Sequence, residues 1–188
     1  MRTLATLAAL TLAVPALAGE ITGKVTASKG AGGIVVYVVK ADGQFAPPEK
    51  PVAMDQKHMA FLPFVLPVLA GTTVEFKNSD KVAHNVFSPD GAGYNLGTFS
   101  PGQTRKQLFG DPGLYTQLCS LHPDMEGYIL VLQNPYFATT AADGGYTIKG
   151  VPDGDYQVRV MGKSVKKKDR KKDFPVTVAG SANLDIEL

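Results

Sequence analysis

The stretch Cys119-Ser120-Leu121-His122-Pro123-Asp124-Met125 places a thiol, an imidazole and a thioether at i, i+3 and i+6. A second imidazole, His84, lies upstream in Val82-Ala83-His84-Asn85-Val86. One thiolate, two imidazoles and a weak axial thioether form the donor set that suits copper in a trigonal electron-transfer site. These ligands satisfy Cu(I) and Cu(II) in nearly one geometry, so little has to move when an electron moves. Zinc fits less well, because methionine is a poor zinc ligand and the pattern supplies no carboxylate. Cys119 is the single cysteine of the chain. That excludes an intramolecular disulfide, a thiolate-bridged dinuclear copper centre and a Cys-x-x-Cys-His haem attachment. Taken singly, each residue has a plainer reading: a histidine satisfied by a neighbour, a small buried cysteine, a core methionine. Their joint spacing makes His84, Cys119, His122 and Met125 candidate metal ligands.

Such ligands need rigid elements behind them. After residue 18 helical periodicity is nearly absent, and short β-branched and aromatic runs alternate with Gly, Pro, Asn and Asp clusters. This is the pattern of an all-β sandwich. Gly113–Leu118 reads as a strand that ends where Cys119 enters a loop, Pro123 stiffens that loop, and Glu126–Leu132 returns as the next strand. The hairpin thus presents three ligands at one end of a sandwich, and His84 comes from another strand end. Further strands are expected over 20–26, 34–40, 64–69, 73–78, 84–87, 105–109, 145–148, 154–161, 174–178 and 182–188. The run Phe61–Ala70, broken by Pro63 and Pro67, reads as extended chain. All three histidines, the cysteine, Met54, Met59 and Met125 fall in a central block, 48–135. The flanks contain no soft ligand except Met161.

The segments Gly71-Thr72-Thr73-Val74-Glu75-Phe76-Lys77-Asn78, His84-Asn85-Val86 and Cys119-x-x-His122-x-x-Met125 together resemble the plastocyanin and amicyanin family of cupredoxins. The short gap between His122 and Met125 is similar to amicyanin. From Met54-Asp55-Gln56 onward the block also looks like bacterial plastocyanin-like proteins of the methylamine-utilisation type. The resemblance covers about half the chain. It implies a cupredoxin Greek-key β-sandwich holding one mononuclear type 1 (blue) copper through His84, Cys119, His122 and Met125. It also implies supporting roles for Asn85, Ser120 and Pro123. The Asn85 N–H would bond the Cys119 sulfur, the Asn85 side chain would hold Ser120, and His122 beside Pro123 would be the electron's exit. Leu118 departs from the plastocyanin pattern, which has a tyrosine there serving a remote transfer route.

The flanks resemble a carboxypeptidase regulatory-like (transthyretin-like) domain. Glu20–Val25 and Gly33–Val38 look like its opening. Asp143-Gly144-Gly145-Tyr146-Thr147-Ile148, Val151-Pro152-Asp153-Gly154-Asp155-Tyr156 and the final strand look like its remainder. This implies a smaller β-sandwich, 19–47 plus 136–188, in which the cupredoxin block is inserted or to which it is joined.

Arg2, the apolar stretch from Leu4 to Leu17 and Ala16-Leu17-Ala18 read as a signal peptide over 1–18. The expected location is therefore periplasmic or secreted, with cleavage near Ala18 and no transmembrane segment in the mature chain. Without Arg2 the chain carries 18 basic and 17 acidic residues, which argues against nucleic acid as a partner. Lys163–Lys172 carries seven basic residues in ten positions. It reads either as a docking arm for an acidic redox partner or an anionic membrane surface, or as a solvated hairpin loop. His58, between Met54 and Met59, reads as an ordinary loop residue or as part of a softer copper site. The leading expectation is a periplasmic electron shuttle between redox protein partners. Its rivals are a copper delivery protein and a non-redox structural or adhesion module. An enzyme is not expected, since four ligands leave no open position on the metal.

Overall fold

The structure, a computed structural model, describes residues 18–188. The expected signal peptide, apart from Ala18, lies outside these residues. In Thr72–Asn78 the side chains of Thr72, Val74, Phe76 and Asn78 are buried while those between them face outward. This is the two-residue period of a strand with one face in a core. The same logic builds four sheets, two from the centre of the chain and two from its flanks.

The central sheets form the sandwich that matters for the site. One runs in the order Val65–Leu69, Glu126–Leu132, Gly113–Leu118, His84–Ser88, Tyr94–Phe99. The other runs Phe61–Leu62, Val52–Gln56, Thr72–Asn78, Thr104–Phe109. Val52–Gln56 pairs parallel with Thr72–Asn78, and Val65–Leu69 pairs parallel with Glu126–Leu132. The remaining pairs are antiparallel. Phe61, Phe76, Phe99, Phe109, Ile129 and Val131 fill the space between, and Cys119 and Met125 lie in the same cluster.

Residues on both sides of this block form two more sheets. Gly145–Val151, Gly19–Thr26 and Ser181–Asn183 make one, with Ile186–Glu187 also on Gly19–Thr26. Phe137–Thr139, Val35–Val38, Gly154–Met161 and Phe174–Val178 make the other. Their common core contains Ile21, Val25, Ile34, Val36, Val158 and Val160.

A third core joins the two halves. The strand Glu126–Leu132 is buried from Gly127 onward on both faces. Ile129 and Val131 point into the central core. Tyr128, Leu130 and Leu132 point the other way and pack with Val65, Val35 and Met161. The two connections between the halves are tied together: Gln133 donates its side-chain amide to the Ala41 carbonyl at 2.7 Å and accepts the Ala41 N–H at 3.2 Å. Asn134 Nδ2 donates to the Val38 carbonyl at 3.0 Å. No helix of the described residues is long and apolar enough to cross a membrane.

Most expected strands are present, and three lie where none is expected: Val52–Gln56, Tyr94–Phe99 and Phe137–Thr139; a fourth, Phe61–Leu62, opens the run expected only as extended chain. Val52–Gln56 holds one β-branched residue, and Tyr94–Phe99 is interrupted by Gly97 at φ +72°, so neither carries a strong strand signal. The expected strand 182–188 is broken into Ser181–Asn183 and Ile186–Glu187.

Candidate metal centre

Strand ends bring the ligand types together. Gly113–Leu118 pairs with Glu126–Leu132 in unbroken register, Leu118 opposite Glu126. The loop 119–125 therefore projects from the end of a fixed hairpin. Within it the Met125 N–H donates to the His122 carbonyl at 3.0 Å, closing a turn. His84 opens the neighbouring strand, behind a loop organised by Asn78. The buried Asn78 amide donates to the carbonyls of Val82 at 2.9 Å and Phe99 at 3.1 Å, and its oxygen accepts the Asp80 N–H at 3.1 Å.

At this pole His84 Nδ1 lies 3.0 Å from His122 Nδ1. Cys119 Sγ lies 3.9 Å from the first nitrogen and 3.7 Å from the second. Among the described residues these three form a cluster of metal-ligating side chains with donor atoms within 4.8 Å of one another. Bonds of about 2.0 Å to nitrogen and about 2.3 Å to sulfur, opened to a trigonal angle, span an N–S edge near 3.8 Å. The two observed N–S edges match that size. His84 and Cys119 are buried and His122 is half-buried. Met125 is buried in the cluster that contains Cys119, directly after the loop that carries Cys119 and His122.

The surroundings fix the orientation of each donor. His84 Nε2 is 2.9 Å from Asp80 Oδ2. A carboxylate only accepts, so Nε2 carries the ring proton and the Nδ1 lone pair faces the cluster. Asp80 also accepts the backbone N–H of His58 at 2.7 Å and of Met59 at 2.9 Å. Burial alone would raise the Asp80 carboxyl, but the Met59 amide, the His84 ring and the His58 amide outweigh it and hold it below the usual carboxylate range. The Asn85 N–H points at Cys119 Sγ across 3.4 Å. Asn85 Oδ1 accepts from Ser120 Oγ at 3.0 Å and Ser120 N at 3.3 Å, while its Nδ2 donates to Asn95 at 2.8 Å. Gln56 Nε2 donates to the Asn85 carbonyl at 3.1 Å. Pro123 is exposed on the loop beside His122.

The family model "Copper binding proteins, plastocyanin/azurin family" matches residues 49–132. Amicyanin-alpha of Methylorubrum extorquens is 30% identical over 90 residues, which are 44% of this chain and 76% of that protein. The chain belongs to the plastocyanin/azurin family. Among solved structures, a copper-containing nitrite reductase from Thermus scotoductus SA-01 is 30% identical at a TM-score of 0.44, over 50% of this chain. The chain spans 25% of that reductase's length. A purple cupredoxin from Nitrosopumilus maritimus is 27% identical at a TM-score of 0.39, over 43% of this chain and 98% of its own. Family membership and the His84–Cys119–His122 cluster together specify one copper site in this cupredoxin.

Asp80, Gln56 and Asn95 support the site without being singled out by the motif spacing. Asp80 carried the one available signal, a carboxylate four residues before a candidate ligand. Gln56 and Asn95 arrive through sheet pairing, which residue spacing does not disclose. His58 occupies a tight turn in which Lys57 and Ala60 exchange backbone hydrogen bonds at 3.0 and 3.2 Å. Its amide is bound by Asp80, and it is not part of the three-residue cluster.

Proposed function

We propose that this cupredoxin is a periplasmic or secreted electron shuttle, with His84, Cys119, His122 and Met125 holding a single type 1 copper. The observation that carries the reading is the triangle of His84 Nδ1, His122 Nδ1 and Cys119 Sγ at 3.0, 3.7 and 3.9 Å, set on strand ends of a packed sandwich. When bound, copper supplies a reversible one-electron couple. The chain supplies everything that keeps the site from rearranging. Asp80 locks the His84 tautomer, the Asn85 N–H directs its positive end at the Cys119 sulfur, and the Asn85–Ser120 bonds hold the loop. Preorganised donors of this kind keep reorganisation small.

His122 is the half-buried donor and lies beside the exposed Leu121 and Pro123, so it is the proposed point of electron entry and exit. With four side chains committed to the metal there is no coordination position for a substrate, which favours a carrier over an enzyme. The strand pairings of the flanks support a nested division: 19–47 with 136–188 as the smaller sandwich, and 48–135 as the cupredoxin domain inserted in it.

The test is a visible and spin-resonance spectrum of the mature protein with one equivalent of Cu(II). The expected result is a strong thiolate-to-copper band that bleaches reversibly on reduction. Cys119→Ala abolishes the band, and His122→Ala leaves a site whose spectrum responds to added imidazole. A colourless wild-type protein that has taken up copper refutes the shuttle.

A further inference from the structure

The basic run is not a free loop. It begins directly after the strand Gly154–Met161, whose last residue, Met161, is buried in the shared core with Tyr128. Val165 is 2% exposed in the core of the flanking sandwich. Arg170 Nε donates to the Val165 carbonyl at 3.2 Å, and Ser164 Oγ to the Lys29 carbonyl at 3.1 Å. A 3-10 turn over Asp169–Lys171 finishes the segment. These bonds leave Lys166, Lys167, Lys168, Lys171 and Lys172 exposed.

The segment is pinned beside the metal pole. Lys163 Nζ lies 5.9 Å from the Phe64 ring centroid, and Arg170 Cζ 5.5 Å from that of Tyr128. Both rings belong to the cupredoxin half. Lys163 and Arg170 form one wall of a 490 Å³ groove, and Met59, Leu62 and the proposed ligand Met125 form the other. Asp124 and Glu126 also line it, Glu126 accepting the Tyr128 hydroxyl at 2.6 Å. Met59, Leu62, Val82 and Leu121, all on or beside the loops of the metal pole, are each more than 40% exposed.

Charge is divided sharply. Residues 163–172 hold seven basic side chains and one acidic, whereas the rest of the chain after Ala18 holds 11 basic and 16 acidic. A nearly neutral protein therefore carries a concentrated basic segment, and two of its members, Lys163 and Arg170, line the groove that contains Met125. A field of that kind acts over about 8 Å at physiological ionic strength and steers encounter with an oppositely charged surface.

We propose that residues 163–172 are a docking rim that brings an acidic redox protein onto the metal pole, with Met59, Leu62 and Leu121 making the apolar contact. The inference rests on the shuttle reading. An acidic protein fits better than a lipid surface because Lys163 and Arg170 line one groove with Asp124 and Met125, on the loop that also carries His122, the proposed electron exit. A protein held by this run is brought against the metal loop, where it can accept or supply the electron.

The test compares wild type with the variant carrying Lys166→Gln, Lys167→Gln, Lys168→Gln, Lys171→Gln and Lys172→Gln. Lys163 and Arg170 stay, because their charged groups lie over rings of the cupredoxin half, whereas Lys172 lies over Phe174 of the flank itself. Copper-loaded full chain is mixed with ferrous cytochrome b5, an acidic haem protein. One electron leaves the haem, which becomes ferric, and the copper is left as Cu(I). The expected wild-type rate falls steeply with added salt, and the variant is about tenfold slower at low salt. An uncharged hydroquinone serves as the control reductant and reports the copper site alone. In parallel, metal-free labelled protein is titrated with cytochrome b5, and amide shifts are expected at 166–172 and around Leu121. Equal rates and no shifts at 166–172 overturn the docking rim while the hydroquinone reaction leaves the shuttle standing. No reduction by hydroquinone overturns both. Lysine-dependent binding to phosphatidylglycerol vesicles, with cytochrome rates indifferent to the lysines, overturns the protein partner in favour of a lipid.

Discussion

Asp80→Ala removes the acceptor shared by a buried ring and a strained turn. His58 and Met59 both lie in the left-handed region, at φ 56° and 57°. Each such non-glycine residue costs about 1–2 kcal/mol. Their amides are bound only by the two Asp80 oxygens on the exposed side of the turn, and they regain water when the carboxylate goes. His84 is different: its side chain has no exposure, against 14% for Asp80. Leaving Nε2 without an acceptor costs about 1–3 kcal/mol. With the loosened turn, the expected loss is about 2–4 kcal/mol, a fall of roughly 5–15 °C in Tm for a chain of this size.

Thermal melts of metal-free protein measure this directly, apart from any question of copper. Two further readouts separate the turn from the ring. In the Asp80→Ala background, His58→Gly with Met59→Gly recovers about 1 kcal/mol, because glycine enters the left-handed region freely. Metal affinity stays lowered by about 10–100-fold in both variants, since the ring has lost its orienting partner. An Asp80→Ala protein that melts within about 1 °C of wild type, a few tenths of a kcal/mol, and binds metal unchanged refutes the reasoning.

Two other outcomes follow from packing and charge. A side chain at Gly127 would place its Cβ 2.6 Å from the Cβ of the fully buried Phe61, so Gly127→Ala is expected to destabilise by about 1–3 kcal/mol through overpacking, read as a lowered denaturation midpoint. The Arg159 guanidinium holds the Asp173 carboxyl below the usual carboxylate range, more than offsetting the desolvation that raises it. A depressed folded pKa gives stability that is present above the unfolded value, about 3.9, and is lost as pH falls through the folded one. Asp173→Asn therefore destabilises slightly at pH 7, by under about 1 kcal/mol for so exposed a pair, and the difference closes in melts at acid pH.

The site was legible because its donors are local. Cys119 and His122 share one loop, with the proposed ligand Met125 at its end, and His84 carries its neighbour Asn85 beside it. What was not legible depends on register. Asn95 reaches Asn85 because Tyr94–Phe99 pairs with His84–Ser88 through a bulge, and Gln56 reaches the Asn85 carbonyl from the other sheet. The all-β class and most strands were visible in β-branched alternation between turn residues. Val52–Gln56 was hidden, because Ala-Met-Asp-Gln has little strand preference and is held by parallel pairing with Thr72–Asn78. The place of the basic run was also hidden, since nothing in a lysine-rich segment says which surface it rests on.

That placement has a mechanical cause. Glu126–Leu132 leaves the metal loop and puts alternate side chains into two cores, Ile129 and Val131 with the site, Tyr128, Leu130 and Leu132 with the flanks. Met161 enters the same shared core one residue before the turn into the basic run. The shared core therefore fixes Tyr128, three residues from Met125, and Met161, two residues from Lys163, in one packed unit. A flank tethered by a single linker would be free to pivot. Here two connections cross between the halves, and Gln133 and Asn134 bond them to Ala41 and Val38. The proposed insertion would hold the basic run at a set distance from the metal pole, which a terminal extension on a single linker would not do.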